Sequence, residues 1–90
     1  MSKEDCIRKK IFFEILTMVM KDEEIYTGND LTLEDDLLSI GINSIVGMRF
    51  IFELEQSFSI LFRDEDIFSL EPVTLNDYYK LLLVSLDYEK

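Results

Sequence analysis

Residues 44–57 read SIVGMRFIFELEQS, and their apolar side chains recur with the period of an α-helix. At 100° per residue, one wide arc collects the apolar residues Ile45, Met48, Ile51, Phe52, Leu54 and the following Phe58. A polar stripe of Arg49, Glu53 and Gln56 lies opposite, with Val46 near it. The pattern predicts an amphipathic helix over residues 44–57 with Val46 exposed. It does not explain Glu55, which falls inside the apolar arc.

The segment before this helix also has a helical period. From Glu4 to Lys21, a stripe of Ile7, Ile11, Ile15 and Met18 is widened by Phe12, Leu16 and Val19, while Phe13 and Met20 fall off it. We therefore predict a long first helix that either is buried on two sides or exposes some apolar surface.

Two further helices are predicted after residue 57. Residues 63–68 read RDEDIF, which is typical of a short helix or turn with acidic residues at its amino end. Residues 74–77 read TLND and fit a capping box, with Asp in place of the usual Glu. Apolar residues at helical spacing follow, namely Leu75, Tyr78, Tyr79, Leu82 and Leu86.

The connection between the first two long helices, residues 22–43, has no sustained period. It contains polar turn residues at 27–30, then leucines and isoleucines that we expect to pack onto the core, and Gly41, which permits a turn before the next helix. The predicted fold is all-α: a small four-helix bundle of three long helices and one short one, with a long loop between helices 1 and 2, forming one domain over residues 1–90.

Composition excludes several classes of function. The 90 residues carry a net charge of −10, which repels a nucleic-acid backbone. The chain has no histidine, so the commonest general base and metal ligand are missing, and we predict no metal site. Cys6 is the single cysteine, which excludes an internal disulfide and suits a reducing compartment. With no signal peptide or membrane-spanning run in the sequence, we expect a cytoplasmic monomer.

Ser44 is the conspicuous candidate for chemistry, because it stands at the predicted start of a helix after a long loop. One interpretation is structural: a serine N-cap accepts a backbone N–H and contributes about 1 kcal/mol. The other interpretation is functional: the free N–H groups and the positive end of the helix dipole would stabilise a phosphate ester on the Ser44 hydroxyl. The two interpretations are compatible. Without a histidine to activate Ser44, a self-contained serine hydrolase is rejected.

The surroundings of Ser44 resemble those of carrier proteins. Residues 36–45 read DLLSIGINSI, which is similar to their modification motif D-x-x-x-x-G-x-D-S-L. Residues 54–60 and 64–67 resemble the stretch that follows in acyl carrier proteins, and TLNDY at 74–78 resembles the start of their last helix. The similarity spans about residues 33–83 in consistent order. The sequence departs from this pattern at two positions. Asn43 stands where Asp is frequent, and Arg49 lies in a region that is typically acidic in fatty-acid-synthesis carriers. Met48-Arg49 instead resembles the peptidyl carrier domains of nonribosomal synthetases.

This resemblance implies a protein without catalytic residues of its own. A phosphopantetheinyl transferase would move 4′-phosphopantetheine from coenzyme A to Ser44, and the thiol of that arm would hold an acyl or aminoacyl group as a thioester. Acyl- or aminoacyl-loading and condensing enzymes with basic docking surfaces are the partners implied. The pathway would be of the fatty-acid, polyketide or nonribosomal-peptide type.

For partner contacts we predict six residues on the second helix and the acidic segment, namely Val46, Arg49, Glu53, Asp64, Glu65 and Asp66. The three acidic residues lack the twelve-residue spacing of a calcium loop. An alternative class remains open: an unmodified acidic helical adaptor that binds a protein through exposed Phe13 and Met20, with Ser44 serving only as a cap.

Overall fold

The computed structural model describes residues 3–26 and 30–88, apart from the side chains of residues 68, 87 and 88. It contains α1 (Lys3–Asp22), α2 (Ser44–Phe58), α3 (Asp64–Phe68) and α4 (Leu75–Tyr88). The predicted all-α fold, with three long helices, one short helix and a long loop after the first, is confirmed. Most of the turn predicted at residues 27–30 lies outside the described residues. Among those that are described, no helix is both long and apolar enough to cross a bilayer.

An aromatic cluster occupies the centre of the core. Phe12 of α1 meets Phe50 of α2 at 5.1 Å and Tyr79 of α4 at 5.2 Å between ring centroids, both edge to face. Such contacts add about 0.5–1.5 kcal/mol beyond the burial itself. The cluster therefore joins the three long helices and determines which face of each one points inward.

The predicted inward face of α1 is partly wrong. Ile7 and Met18, assigned to the stripe, are exposed, whereas Met20, assigned off it, is buried. Ile15 of the same stripe is buried and Ile11 is half-buried against the core, so the inward face includes this part of the stripe together with Phe12, Leu16 and Val19. Phe12 makes its aromatic contacts from this face. Because Met20 is buried, it cannot serve the adaptor surface that we considered.

The loop before α2 is fixed to the start of α4 by main-chain hydrogen bonds. The N–H of Leu37 donates to the carbonyl of Val73 at 2.9 Å, and the N–H of Leu75 donates to the carbonyl of Asp35 at 3.1 Å. Leu37 and Ile42 are buried, so the expected packing of this loop onto the core is confirmed. Gly41 has a φ of 88°, in the left-handed region that favours glycine, and it turns the chain into α2.

Candidate functional site

The start of α2 is capped by Asn43, one residue before the cap that the sequence predicted. The Asn43 side-chain oxygen accepts a hydrogen bond from the N–H of Val46 at 3.0 Å. The assignment of Ser44 as the cap is therefore wrong, because Ser44 is the first residue of the helix itself. Asparagine and serine are nearly equal as caps, so the residue types alone do not choose between two adjacent candidates.

Ser44 is left with an exposed hydroxyl that makes no hydrogen bond in the described part of the chain. The N–H groups of Val46 and Gly47 bond to Asn43, whereas those of Ser44 and Ile45 have no partner among the described residues. Free N–H groups and the positive end of the helix dipole favour an anion at this position. The geometry thus suits an anionic group esterified to the Ser44 oxygen.

A cleft of about 230 Å³ opens beside Ser44. The loop before α2, the first residues of α2 and the segment that leads into α4 form its walls. Leu38 and Val73 supply exposed apolar surface, and Asp36, Asn43 and Ser44 supply polar groups. A group attached to Ser44 would therefore begin at the edge of a mixed apolar and polar depression.

Tyr78 of α4 lines the same cleft from below and is only 4% exposed. Its side chain lies against Gly47, where a β-carbon would overlap the Tyr78 hydroxyl oxygen. Its ring also packs edge to face on Phe50, at 5.6 Å between centroids. Burial raises the pKa of Tyr78 above its ordinary value, so the phenol stays protonated at neutral pH. Sequence reasoning missed this pair, although a glycine inside a helix is a signal of close approach.

The exposure predicted for Val46 is wrong. Val46 is only 5% exposed, because α2 buries the face formed by Val46, Phe50 and Leu54. Ile45, Met48 and Phe52, which the periodicity placed in the core, are exposed instead and lie on one face of α2. Apolar residues cover well over half of the circumference of this helix, so the period alone does not show which part of the arc turns inward.

Arg49 is engaged within the fold. Its guanidinium donates to Asp22 at 2.7 Å and to Glu23 at 3.3 Å, and so ties α2 to the end of α1. The hydrogen bond to Asp22 is the main reason that the pKa of Arg49 is raised above its ordinary value. Arg49 was predicted to contact a partner, and the structure shows that its positive charge already has intramolecular partners.

The remaining predicted contact residues do not line the Ser44 cleft. Glu53 is half-buried on α2. Asp64 and Glu65 are exposed on α3, which follows the end of α2 opposite Ser44, and Glu65 pairs with Arg63. One carboxylate oxygen of Asp66 is buried without a hydrogen-bond partner among the described residues. The structure therefore does not bring these acidic side chains into the Ser44 cleft.

Glu55, which the helical period did not explain, organises the end of α2. Its carboxylate accepts the N–H of Phe62 at 2.8 Å, and its carbonyl accepts the N–H of Ile60 at 3.0 Å. The carbonyl also accepts the N–H of Ser59, a left-handed C-cap with a φ of 54°. The half-buried glutamate thus satisfies backbone groups where the chain leaves the helix. The N–H groups that Glu55 accepts belong to residues after the end of α2, so the helical period could not reveal this role.

The comparison with protein families decides the identity of this fold and site. The family model described as a phosphopantetheine attachment site matches residues 14–80, which is well over half of the chain. The chain belongs to this phosphopantetheine-binding carrier family. Comparisons with curated proteins and with solved structures each gave no significant match.

In this family the domain is the site of covalently attached 4′-phosphopantetheine, and it is not itself catalytic. The residues of this carrier fit the group, because an exposed hydroxyl stands at a helix N-terminus with free N–H groups and a cleft beside it. The described residues contain no group of three or more His, Cys, Asp and Glu side chains that could hold a metal ion.

Proposed function

We propose that Ser44 carries 4′-phosphopantetheine and that the protein presents an acyl or aminoacyl group to the enzymes of a fatty-acid, polyketide or nonribosomal-peptide type pathway. The observation that carries the proposal is the exposed, unbonded Ser44 hydroxyl at the start of α2, next to a cleft. When bound, the cofactor supplies a terminal thiol that holds the cargo as a thioester.

The protein's own part in loading is to present an oxygen atom. A new bond forms from the Ser44 oxygen to the phosphorus of coenzyme A that bears the pantetheine, the bond from this phosphorus to the bridging oxygen of the diphosphate breaks to release adenosine 3′,5′-bisphosphate, and the serine proton passes to a base. A phosphopantetheinyl transferase must supply that base, since the chain has no histidine and the cap next to the serine is a neutral amide. The N–H groups of Ser44 and Ile45 would then stabilise the phosphate.

Intact mass tests this proposal. The wild-type protein is incubated with coenzyme A, magnesium and a promiscuous phosphopantetheinyl transferase, and Ser44→Ala is treated in parallel. We expect a gain of one phosphopantetheine on the wild type alone. No gain on the folded wild type with more than one transferase would contradict the proposal and favour the unmodified adaptor.

We further propose that partner enzymes dock on the apolar α2 face, which consists of Ile45, Met48 and Phe52 and begins next to Ser44. All three are exposed, whereas Val46 is buried. Exposed apolar residues on one helix face are a common element of protein interfaces. The net charge of −10 favours partners whose docking surfaces are basic.

A matched pair of substitutions tests this docking face. Ile45 and Leu61 are both 77% exposed, but Leu61 lies beyond the end of α2 that is far from Ser44. We expect Ile45→Gln to lower kcat/KM of the transferase reaction by about tenfold or more, and Leu61→Gln to leave it nearly unchanged. Equal effects of the two substitutions would contradict a docking face on α2.

We also propose that residues 1–90 act as one carrier domain, monomeric and cytoplasmic. The support is that helices at both ends of the sequence contribute to one aromatic cluster and that the single cysteine suits a reducing compartment.

A further inference from the structure

The side-chain amide of Asn43 has two ends, and only one of them is used by the fold. Its oxygen accepts the N–H of Val46 at 3.0 Å, and this bond fixes which end of the amide is oxygen, because an amide nitrogen does not accept. The nitrogen at the other end makes no hydrogen bond in the described part of the chain. Asn43 is exposed, so the two N–H groups of this nitrogen are available to a ligand.

These donors belong to the same cleft as Ser44. Asn43 and Ser44 are consecutive residues and both line the cleft. Of the described residues that line it, Asn43 alone has a side-chain N–H, and Asp36 alone has a carboxylate. The Asp36 carboxylate accepts the N–H of Leu38 at 3.3 Å and the hydroxyl of Ser39 at 3.4 Å, within its own loop. Asn43 is therefore the lining residue whose side chain suits an anion.

The anion that the family match implies here is a phosphodiester. The chain belongs to a family that carries phosphopantetheine, and on Ser44 that group would have one negative charge and two unesterified oxygens next to Asn43. The N–H groups of Ser44 and Ile45 have no partner among the described residues. With the Asn43 amide they offer the phosphate donors from three consecutive residues, and hydrogen bonds to a charged acceptor are about twice as strong as neutral ones.

We propose that Asn43 holds the phosphate of the arm: its amide oxygen caps α2 while its amide nitrogen donates to the phosphodiester on Ser44. The proposal rests on the function proposed above and deepens it, because it assigns a positioning residue to the modification site. An aspartate at position 43 would cap the helix equally well, but it has no donor and would repel the phosphate. The amide thus makes attachment of the arm stabilise the start of α2.

Thermal unfolding with and without the arm tests this coupling. Wild type and Asn43→Asp are each prepared unmodified and fully modified, as shown by intact mass. We expect the arm to raise the Tm of the wild type by about 4 °C or more, because the phosphate gains the Asn43 donor. In Asn43→Asp we expect the arm to leave the Tm unchanged or to lower it.

Gln56→Glu is the matched control. It makes the same change from amide to carboxylate at an exposed position of α2, twelve residues after Ser44. The helical rise places it about 18 Å along the axis, which exceeds the Debye length of about 10 Å at 0.1 M salt. We therefore expect the arm to raise the Tm of this variant as much as that of the wild type.

The side-chain amide protons of Asn43 give a second readout that does not depend on stability. In nuclear magnetic resonance spectra of the labelled protein, these protons are assigned by their loss in Asn43→Asp. We expect at least one of them to exchange with solvent about tenfold more slowly once the arm is attached. If Asn43 only caps the helix, its nitrogen stays free and the exchange does not change.

Three results would each overturn the proposal: an equal Tm rise in wild type and Asn43→Asp, loss of the rise in Gln56→Glu, or unchanged exchange of the Asn43 amide protons. If the transferase does not modify Asn43→Asp, the exchange measurement on the wild type decides alone. A wild type that acquires no arm on Ser44 overturns the proposed function as well. A wild type that is loaded on Ser44 but shows no effect of Asn43 overturns only the role of this residue.

Discussion

At the scale of single residues, Asn43 and Ser44 divide two tasks that one serine could otherwise perform alone. Asn43 caps the helix through the N–H of Val46, and the hydroxyl of Ser44 stays free of any hydrogen bond in the described part of the chain. A hydroxyl engaged in capping would have to give up its bond before it could be esterified. The capping asparagine therefore leaves the Ser44 oxygen available.

This division predicts different stabilities for two adjacent alanine variants. We expect Asn43→Ala to lower the free energy of unfolding by about 1 kcal/mol, because the N–H of Val46 loses its acceptor. Ser44→Ala should change it by less than about 0.5 kcal/mol, as is usual for an exposed side chain without contacts. Urea unfolding followed by circular dichroism measures both.

Asn43→Asp is the control for this comparison. It keeps the acceptor and adds a negative charge at the helix N-terminus, so we expect a stability equal to the wild type or up to about 1 kcal/mol higher. A larger loss for Ser44→Ala than for Asn43→Ala would show that the serine is the cap after all.

The sequence singled out Ser44 but did not reveal its environment. Ser44 stands out because of its neighbours along the chain, which are local information. Tyr78 is 34 positions away, and its position under Ser44 depends on how α4 packs across α2. Residue type and spacing do not contain that packing, so Gly47 signals a close approach without showing that Tyr78 makes it, and the cleft could not be predicted.

At the scale of elements, α4 begins at a carboxylate that holds the preceding segment. The Asp77 carboxylate accepts the N–H groups of Val73 at 2.8 Å and Thr74 at 3.1 Å. The bond from Thr74 is one half of the predicted capping box, in which the acidic side chain accepts the N–H of the residue three positions earlier. The two bonds also fix Val73, which lines the Ser44 cleft. Here the sequence motif TLND was sufficient, since both partners lie within four residues.

The Asp77 carboxylate should make part of the stability depend on pH. The two backbone hydrogen bonds hold the pKa of Asp77 below its ordinary value of 3.8 in the folded protein. Because this pKa is lower in the folded than in the unfolded protein, the ionised carboxylate stabilises the folded state. That stabilisation is fully present above the pKa of the unfolded protein and is lost as the pH falls through the pKa of the folded protein. We therefore expect the loss to begin near pH 4 and to continue below it.

Asp77→Asn is the variant that isolates this contribution, because its amide oxygen still accepts a hydrogen bond but does not titrate. Urea unfolding of both proteins at a series of pH values measures the difference between them. The wild-type advantage should be largest above about pH 5 and should shrink below pH 4. An advantage that stays constant down to pH 2 would contradict the role assigned to the carboxylate.

The helices were easier to predict than their inward faces. The bounds of α1 and α2 lie within one residue of the predicted ones at each end, because period and chain breaks are local. The faces are not local: Met18 and Met48 were assigned inward and Met20 outward, and all three assignments are reversed. In helices that are apolar over more than half of their circumference, the aromatic contacts between helices determine the orientation.

At the scale of the whole molecule, the charge is strongly negative. The chain has 19 acidic and 9 basic residues, and Arg49 on α2 is already paired with α1. The field of such a molecule accelerates encounter with basic partners and is weakened by salt, because the Debye length falls from about 10 Å at 0.1 M to about 3 Å at 1 M.

We therefore expect kcat/KM of the transferase reaction to fall as salt is raised. Asp64→Asn and Glu4→Gln each remove one exposed negative charge, the first on α3 and the second on α1. If Asp64 contacts partners, as we propose, its substitution should lower kcat/KM more than that of Glu4 and reduce the dependence on salt. Equal effects of the two substitutions would mean that only the net charge matters and would contradict a contact at Asp64. A kcat/KM that does not change with salt would contradict both the contact and the role of the net charge.

The walls of the Ser44 cleft are joined by the main chain rather than by side chains. The hydrogen bonds between residues 33–37 and 73–76 join main-chain N–H groups to main-chain carbonyl oxygens. Every residue provides the carbonyl oxygen, and every residue except proline provides the N–H. Point replacements along either segment therefore leave this pairing in place, whereas insertion or deletion of one residue shifts every bond beyond it. The side chains that line the cleft can therefore be exchanged without loss of the frame that carries them, provided that the lengths of these two segments are kept.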